Sequence, residues 1–507
     1  MGRQENYSLE EPANGATPTA TSRHQKERSE LVKTMTRSQK VVLFLTLAII
    51  LCIAFTAGLL VHFLVPPHQG NVHPESLQDL HNGSSQKAEV ATTTHPDIGC
   101  RDRCVFTLVE SIPDSLHYQD EELVHPRTGP AILDLIRNAE QTISVASFYW
   151  TLQMNDTTPT DPSSQQGQEV FDALFDVSSQ GQVKIQIVQN QPSAVFPDVD
   201  TERLAAAGAD VRSMNFTRLV GGGVLHTKMW LVDGQHFYVG SANIDWRSYT
   251  QVKELGVLVQ NCSCLADDME KIFQVYWQLA SEDASVPASW SHDFSPAYKM
   301  DMPFVTDTGT VYLSSSPASF CPEGRTADLD AILDVISKAR NFIYIAVMDY
   351  MPFIYLNAPR RYWPVLNDAL KTAAYDRNVT INLMASHWNH SHPDMLLYLR
   401  SLEMFGQSVQ TPVDVEVRVF EFPTTHKQEP VPYTRVNHNK YMVTDRHAYI
   451  GTSNWSGDYF LYTAGIGFIM EEPKSDNDTL SLRQQLENVF LRDWTSNYSH
   501  PLSYYTN

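Results

Sequence analysis

One stretch of this sequence, together with its copy, constrains the fold more than anything else in it. Residues 224–243 read VLHTKMWLVDGQHFYVGSAN and residues 436–454 read VNHNKYMVTDRHAYIGTSN. Both contain His-x-Lys-x4-Asp, first as His226, Lys228 and Asp233, then as His438, Lys440 and Asp445. Both run on into a Gly-Ser/Thr-x-Asn turn that ends at Asn243 and Asn454. Alternation of Val224, His226, Lys228 and Trp230 with Leu225, Thr227 and Met229 predicts a strand that points His and Lys to one face. Two residues apart on a strand, the imidazole and the ammonium converge on one ligand.

A second repeat shows that the duplication extends beyond the motifs. Residues 131–150, AILDLIRNAEQTISVASFYW, and 331–350, AILDVISKARNFIYIAVMDY, align without gaps at eight of twenty positions. Each begins at helical spacing and ends in a β-rich run, so each is a helix feeding a strand. Two homologous α/β halves follow, 100–300 and 301–507, with one active site where a pseudo-twofold brings the motifs face to face. Strands are predicted at 183–189, 379–385 and 413–420, and helices at 168–178, 201–208, 266–280, 363–374, 393–404 and 480–494. Their alternation favours a largely parallel, helix-covered sheet. Proline and polar residues at 281–312 mark the boundary between halves.

Ahead of the halves the composition changes twice. Residues 41–61, VVLFLTLAIILCIAFTAGLLV, carry no charge and are long enough to cross a bilayer. They start too far in and run too long for a cleaved signal peptide, so 41–65 reads as a transmembrane signal anchor. Arg23, Lys26, Arg28, Lys33, Arg37 and Lys40 precede it, which places the polar tail 1–40 in the cytoplasm and the rest in the lumen. Residues 66–99 lack apolar periodicity and form a flexible stem suited to proteolytic release. Asn-x-Ser/Thr acceptors at Asn82, Asn155, Asn215, Asn261, Asn378, Asn389, Asn477 and Asn497 agree with that side of the membrane. Asn454 also fits the pattern but sits inside the second motif. Of six cysteines, Cys52 lies in the span, Cys100, Cys104, Cys262 and Cys264 suggest two bridges, and Cys321 is left over.

The chemistry follows from charge and residue type. A net charge of −21 excludes a broad basic surface for nucleic acid, so a polyanion must be held locally or where the 18 histidines are charged. Two His, two Lys and two Asn side chains make a pocket of donors suited to a phosphodiester. Lys228 and Lys440 neutralise the nonbridging oxygens and Asn243 and Asn454 donate to them, with no cofactor or metal required. One imidazole can attack phosphorus while the other protonates the leaving oxygen. Asp233 and Asp445 complete the candidate catalytic set, although their place before a turn suits a structural role. Glu254 lies eleven residues after Asn243, where the second copy has Gly465. The expectation is that Glu254 backs His226 and makes it the nucleophile, with His438 as the acid.

The motifs, with GSANIDWRSYTQVKELG, NCSCLA, RYWPVL and GTSNWSGDYF, resemble the phospholipase D superfamily, most closely its type II membrane branch, family members three and four. The likeness runs from about residue 100 to the end. It implies two phospholipase D-like α/β halves and a lysosomal 5′-to-3′ exonuclease on single-stranded DNA and RNA with a free 5′ end, releasing nucleoside 3′-phosphates. In that reading His226 is the nucleophile, His438 the acid, and Lys228, Lys440, Asn243 and Asn454 the phosphate binders. It also implies disulfides Cys100–Cys264 and Cys104–Cys262, and residence in the endoplasmic reticulum, Golgi and endosome or lysosome. It admits a soluble lysosomal form and a homodimer. His387 stands where the branch usually has a cysteine, so one further bridge is absent; His387, His390 and His392 read as solvated loop histidines. The alternative substrate is an anionic phospholipid, turned over by hydrolysis or transphosphatidylation through the same residues. Phe148, Tyr149, Trp150, Tyr350 and Trp388 are candidate base-stacking aromatics. Two intact motifs weigh against a purely binding protein.

Overall fold

The computed structural model describes residues 103–114, 116–118, 125–407, 413–425, 428–472 and 480–505. The expected tail, span and stem, Cys100, and the acceptors Asn82 and Asn477 lie outside the described residues. Among the described residues no helix is long and apolar enough to cross a membrane.

Each motif strand turns back within two or three residues, and this decides the sheets. In the first half β1 (Val105–Ser111), β2 (Thr142–Ser147), β3 (Lys184–Asn190), β4 (Asp210–Met214), β5 (Met229–Val232), β6 (His236–Gly240) and β7 (Glu254–Gln260) lie in the order β1-β7-β6-β5-β2-β3-β4. The second half repeats that order. Its strands are β8 (Phe304–Val305), β9 (Thr310–Ser316), β10 (Phe342–Val347), β11 (Thr380–Ser386), β12 (Val415–Phe420), β13 (Lys440–Thr444), β14 (His447–Gly451), β15 (Gly465–Glu471) and β16 (Ser499–Pro501). They lie β8-β9-β15-β14-β13-β10-β11-β12-β16.

The sheets are mixed, not largely parallel. Within these two sheets only β2-β3-β4 and β10-β11-β12 are parallel neighbours, each adjacent pair being joined directly by a helical crossover. The β5–β6 and β13–β14 links are too short for anything but antiparallel pairing.

Alternation along the strands then sets the layers. Trp230, Val232 and Tyr238 face outward onto α1 (Thr128–Arg137) and α2 (Gln165–Gln180), and Leu204 of α3 (Val199–Ala206) joins them. Met229, Leu231, Phe237 and Val239 face inward. There they share one core with α4 (Ser263–Leu279), with α8 (Leu482–Trp494), and with Tyr441, Val443, Ile450 and Phe468 of the second sheet. The outer face of that sheet is covered by α5 (Asp328–Lys338), α6 (Val365–Arg377) and α7 (Met395–Gly406). The two sheets thus sandwich α4 and α8, and their motif ends meet at one place.

Candidate active site

The histidines are held by the opposite half. His226 and His438 precede β5 and β13, in extended lead-ins that pair across the interface instead of within their own sheets. His226 N–H donates to Ala464 O and Ala464 N–H to Val224 O, both at 3.0 Å; His438 N–H donates to Lys253 O at 2.8 Å and Lys253 N–H to Val436 O at 3.0 Å. Reciprocal clamping brings the imidazole centroids to 6.5 Å. Both histidines are nearly buried, at 6% and 8% exposure.

What stands behind each ring differs. His226 Nδ1 lies 2.8 Å from Thr452 O. A carbonyl only accepts, so Nδ1 carries the proton and Nε2 keeps its lone pair. Burial, then the charges of Lys228 and Lys440, hold this imidazole neutral by pushing its pKa well below the usual histidine value. His438 Nδ1 instead meets the Glu254 carboxyl, at 3.0 and 2.9 Å from its oxygens, and Ser248 Oγ donates to the same group. Glu254 therefore backs His438, not His226 as expected from the sequence. The clamp explains this: Lys253 pairs with the His438 lead-in, so the next residue falls beside His438. By the same symmetry Gly465, next to Ala464, falls on the His226 side, where an added Cβ would meet Ser453 Oγ at 2.3 Å.

Burial pushes Glu254 up to about 8 and, with Lys440 and Lys228, pushes His438 down. The pair accordingly keeps two protons below about pH 8. They can be placed as carboxylic acid with neutral imidazole or as carboxylate with imidazolium. Either placement leaves a proton on His438 Nε2.

The lysines are fully buried and fold back onto their own histidine carbonyls, Lys228 Nζ to His226 O at 2.5 Å and Lys440 Nζ to His438 O at 2.6 Å. Burial pulls Lys228 well below the ordinary lysine value and Lys440 down to about 7. The two asparagines flank the pocket unequally. Asn243 Nδ2 donates to Tyr149 Oη (3.3 Å), which donates to Asp245 (2.9 Å), itself ion-paired to Arg247 at 2.7 Å. Asn454 Nδ2 meets Asp349 Oδ2 and Tyr459 Oη directly, both at 3.1 Å. The Oδ1 of both asparagines is buried without a protein partner. Sequence reasoning missed Asp349, whose carboxyl is raised to about 6 by burial. Its only sequence signal is its place 200 residues after Tyr149 in the repeat.

Other expected residues fall elsewhere. Asp233 and Asp445, offered by the sequence as catalytic, lie at the far ends of β5 and β13, where Asp233 accepts from the backbone of Glu140, Gln141 and Thr142, and Asp445 from Arg340 and Asn341. They anchor the start of β2 and β10. Trp150 and Tyr350 are core residues, 4% and 1% exposed, too buried to offer a face for stacking. Phe148 remains beside the site, 5.7 Å from the His226 ring. His387 packs on Tyr505 and His392 on Tyr355. Cys104–Cys262 is formed, Cys264 is also disulfide-bonded, and Cys321 is a free thiol whose pKa burial raises to about 11. Asn155, Asn261, Asn378, Asn389 and Asn497 are exposed, Asn215 caps a helical turn through Arg218 N, and Asn454 is buried.

Known proteins share both chain and fold. The family described as "PLD3/4, PLD-like domain" matches residues 128–425. The chain is 44% identical over 420 residues to the 5′-3′ exonuclease PLD3 of Xenopus laevis, covering 82% of this chain and 84% of that protein. It is 46% identical over 407 residues to the PLD3 exonuclease of Homo sapiens (80% and 82%) and 42% over 405 residues to the 5′-3′ exonuclease PLD4 of Mus musculus (79% and 80%). Among solved structures, phosphatidylserine synthase of Haemophilus influenzae Rd KW20 superimposes with a TM-score of 0.50 at 15% identity, over 74% of this chain and 85% of that one, a likeness of fold. With its duplicated motifs clamped across one interface, this chain belongs to the PLD3/4 family of phospholipase D-like proteins.

Proposed function

We propose that this chain is a phosphodiesterase that degrades single-stranded DNA and RNA from the 5′ end through a phosphohistidine. The observation that carries the mechanism is the unequal backing of the two histidines. His226, with its proton held on Nδ1 by Thr452 O, presents a lone pair from Nε2 and attacks phosphorus. His438, backed by Glu254, gives its Nε2 proton to the departing 5′-oxygen as the P–O bond breaks. Water then attacks the phosphohistidine, yields a proton to His438, and the P–N bond breaks to free His226 and a nucleoside 3′-phosphate. The roles match those the resemblance implies, for a different reason: the carboxylate serves the acid, and the nucleophile needs only a carbonyl. Lys228, Lys440, Asn243 and Asn454 hold the phosphate, and this charge balance calls for no metal. The curated relatives, named as 5′-3′ exonucleases, support nucleic acid as substrate over phospholipid.

The test is the full chain at acidic pH with chelator, assayed on 5′-hydroxyl single-stranded DNA and on phosphatidylglycerol vesicles. Nucleoside 3′-phosphates should appear, and both His226→Ala and His438→Ala should abolish them. Loss of activity with chelator, lipid turnover without nucleotide release, or phosphate trapped on His438 and not on His226 would each refute the proposal.

The same reading takes residues 41–65 as a type II signal anchor with the catalytic halves in the lumen of the endoplasmic reticulum, Golgi and lysosome. The uncharged run, the exposed sequons and the disulfide support it. Glycosidase-sensitive mobility and protease protection of the C-terminal part in intact vesicles test the orientation.

A further inference from the structure

The segment that leads into His438 contains an unexplained strain. Tyr433 and Arg435 both sit in the left-handed region, with φ of 56° and 59°, a conformation that costs a non-glycine residue about 1 kcal/mol or more. The first half imposes it. Arg247 Nη1 donates to Pro432 O at 2.9 Å, and Arg435 N–H donates to Gln251 O at 3.0 Å. Nothing in the core repays the cost at Tyr433, which is 46% exposed. Its ring nonetheless has close neighbours. His390 stacks on it at 4.8 Å and 23°, Trp388 meets His390 edge-on at 4.7 Å, and the Arg247 guanidinium lies 5.8 Å from the Tyr433 centroid.

The platform connects directly to the catalytic pocket. Arg247 is ion-paired to Asp245, Asp245 accepts from Tyr149, and Tyr149 accepts from the phosphate-side amide of Asn243. Tyr433 also precedes the proposed acid His438 by five residues. An exposed, stacked aromatic pair beside a buried cation fits the π-face of an unpaired nucleobase, which any base can offer and a paired one cannot. A lipid headgroup has no such face.

The geometry points to the Tyr433–His390 pair as a stacking subsite for a base of the leaving strand, the part of the nucleic acid beyond the phosphodiester under attack. This rests on the exonuclease reading and adds where the strand runs. It also gives unpaired strands preference, because a base must be unstacked from a duplex to lie on the pair.

The test compares two substrates on the full chain: a 5′-hydroxyl oligothymidylate, and thymidine 3′-(p-nitrophenyl phosphate), which has the terminal nucleoside but no leaving strand. Tyr433→Asn removes the ring with a residue that tolerates positive φ, and Tyr433→Phe keeps the ring. Tyr433→Asn should raise KM for the oligonucleotide about tenfold and for the nitrophenyl ester, whose single ring is held next to the phosphorus, by much less, with Tyr433→Phe close to the parent; His390→Ala should give a smaller rise in the same direction. An unchanged KM for the oligonucleotide in both Tyr433→Asn and His390→Ala, or a parallel loss on both substrates, overturns the subsite. Failure of the parent chain itself to degrade the oligonucleotide would instead overturn the exonuclease reading, and is seen without any variant.

Discussion

Replacing Glu254 by Gln tests the division of labour between the histidines. The amide is nearly isosteric and retains a hydrogen bond to Nδ1, but it cannot take a negative charge or store the second proton that the pair holds up to about pH 8. Two contacts of 2.9 and 3.0 Å with a buried carboxyl are charge-assisted when ionised. Such a bond contributes about 1.5–3 kcal/mol, so kcat/KM on an oligonucleotide should fall roughly 10- to 100-fold. The 5′-alkoxide cannot leave without its proton. A p-nitrophenolate can, and kcat/KM covers only the steps through loss of the leaving group. The defect should therefore shrink to a few-fold on thymidine 3′-(p-nitrophenyl phosphate). Equal losses on the two substrates would place Glu254 in service of the nucleophile and refute the argument.

Other consequences are separable. Activity should be lost as pH rises through 7 to 8, because Lys440, lowered to about 7, gives up the charge that holds phosphate, and the Glu254–His438 pair, with Glu254 raised to about 8, gives up the proton for the leaving group. A kcat/KM profile flat to pH 9 would contradict both. Asp233→Ala removes the charged acceptor shared by the amides of Glu140, Gln141 and Thr142. It should cost about 2–3 kcal/mol of stability, read as a lowered urea midpoint, while kcat of the folded fraction stays near the parent value. Cys104→Ser with Cys262→Ser removes a link across 158 residues, but the adjacent Cys264 stays bonded and keeps most of that loop closed, so the loss should be about 2 kcal/mol, well below that for opening a lone loop of this length, seen in thermal unfolding.

How much of this was legible beforehand depends on whether a contact stays within one half. The helices and strands of each half follow local periodicity, and the helix feeding β2 recurs before β10 because its residues repeat. Lys228 and Lys440 reach the pocket from the motif itself. Glu254 is different: it lies 28 residues from His226 along the chain but 184 from His438, and only the swap of lead-ins across the pseudo-twofold puts it on the distant ring. The same swap makes Gly465 the neighbour of His226. Asp349 carries no motif, and its role becomes visible only when Asn454 is seen against it. The mixed character of the sheets is not visible in the alternation of helices and strands, which carries no signal of the tight β5–β6 and β13–β14 links.

The divergence of the two copies extends behind Glu254 and gives a sharper stability prediction. Where the second half has Ala464 and Ser315, the first has Lys253 and Glu110, related by the matching strand registers. Lys253 Nζ, fully buried, lies 2.9 Å from Asp493 and 3.7 Å from Glu110, and Arg492 grips both oxygens of Glu110 at 2.8 Å. Two acids and two bases thus cancel inside the interface, joining β1 and the end that launches β7 to α8. A matched buried pair adds little net stability, whereas an unmatched buried charge is costly. Lys253→Met should therefore destabilise the fold by about 3–5 kcal/mol, and Lys253→Met with Asp493→Asn should recover most of that loss, because the second change removes the charge that the first had stranded. Additive losses in the double variant, measured by urea unfolding at pH 6, would show that the charges act independently and that Lys253 holds its strand by packing alone.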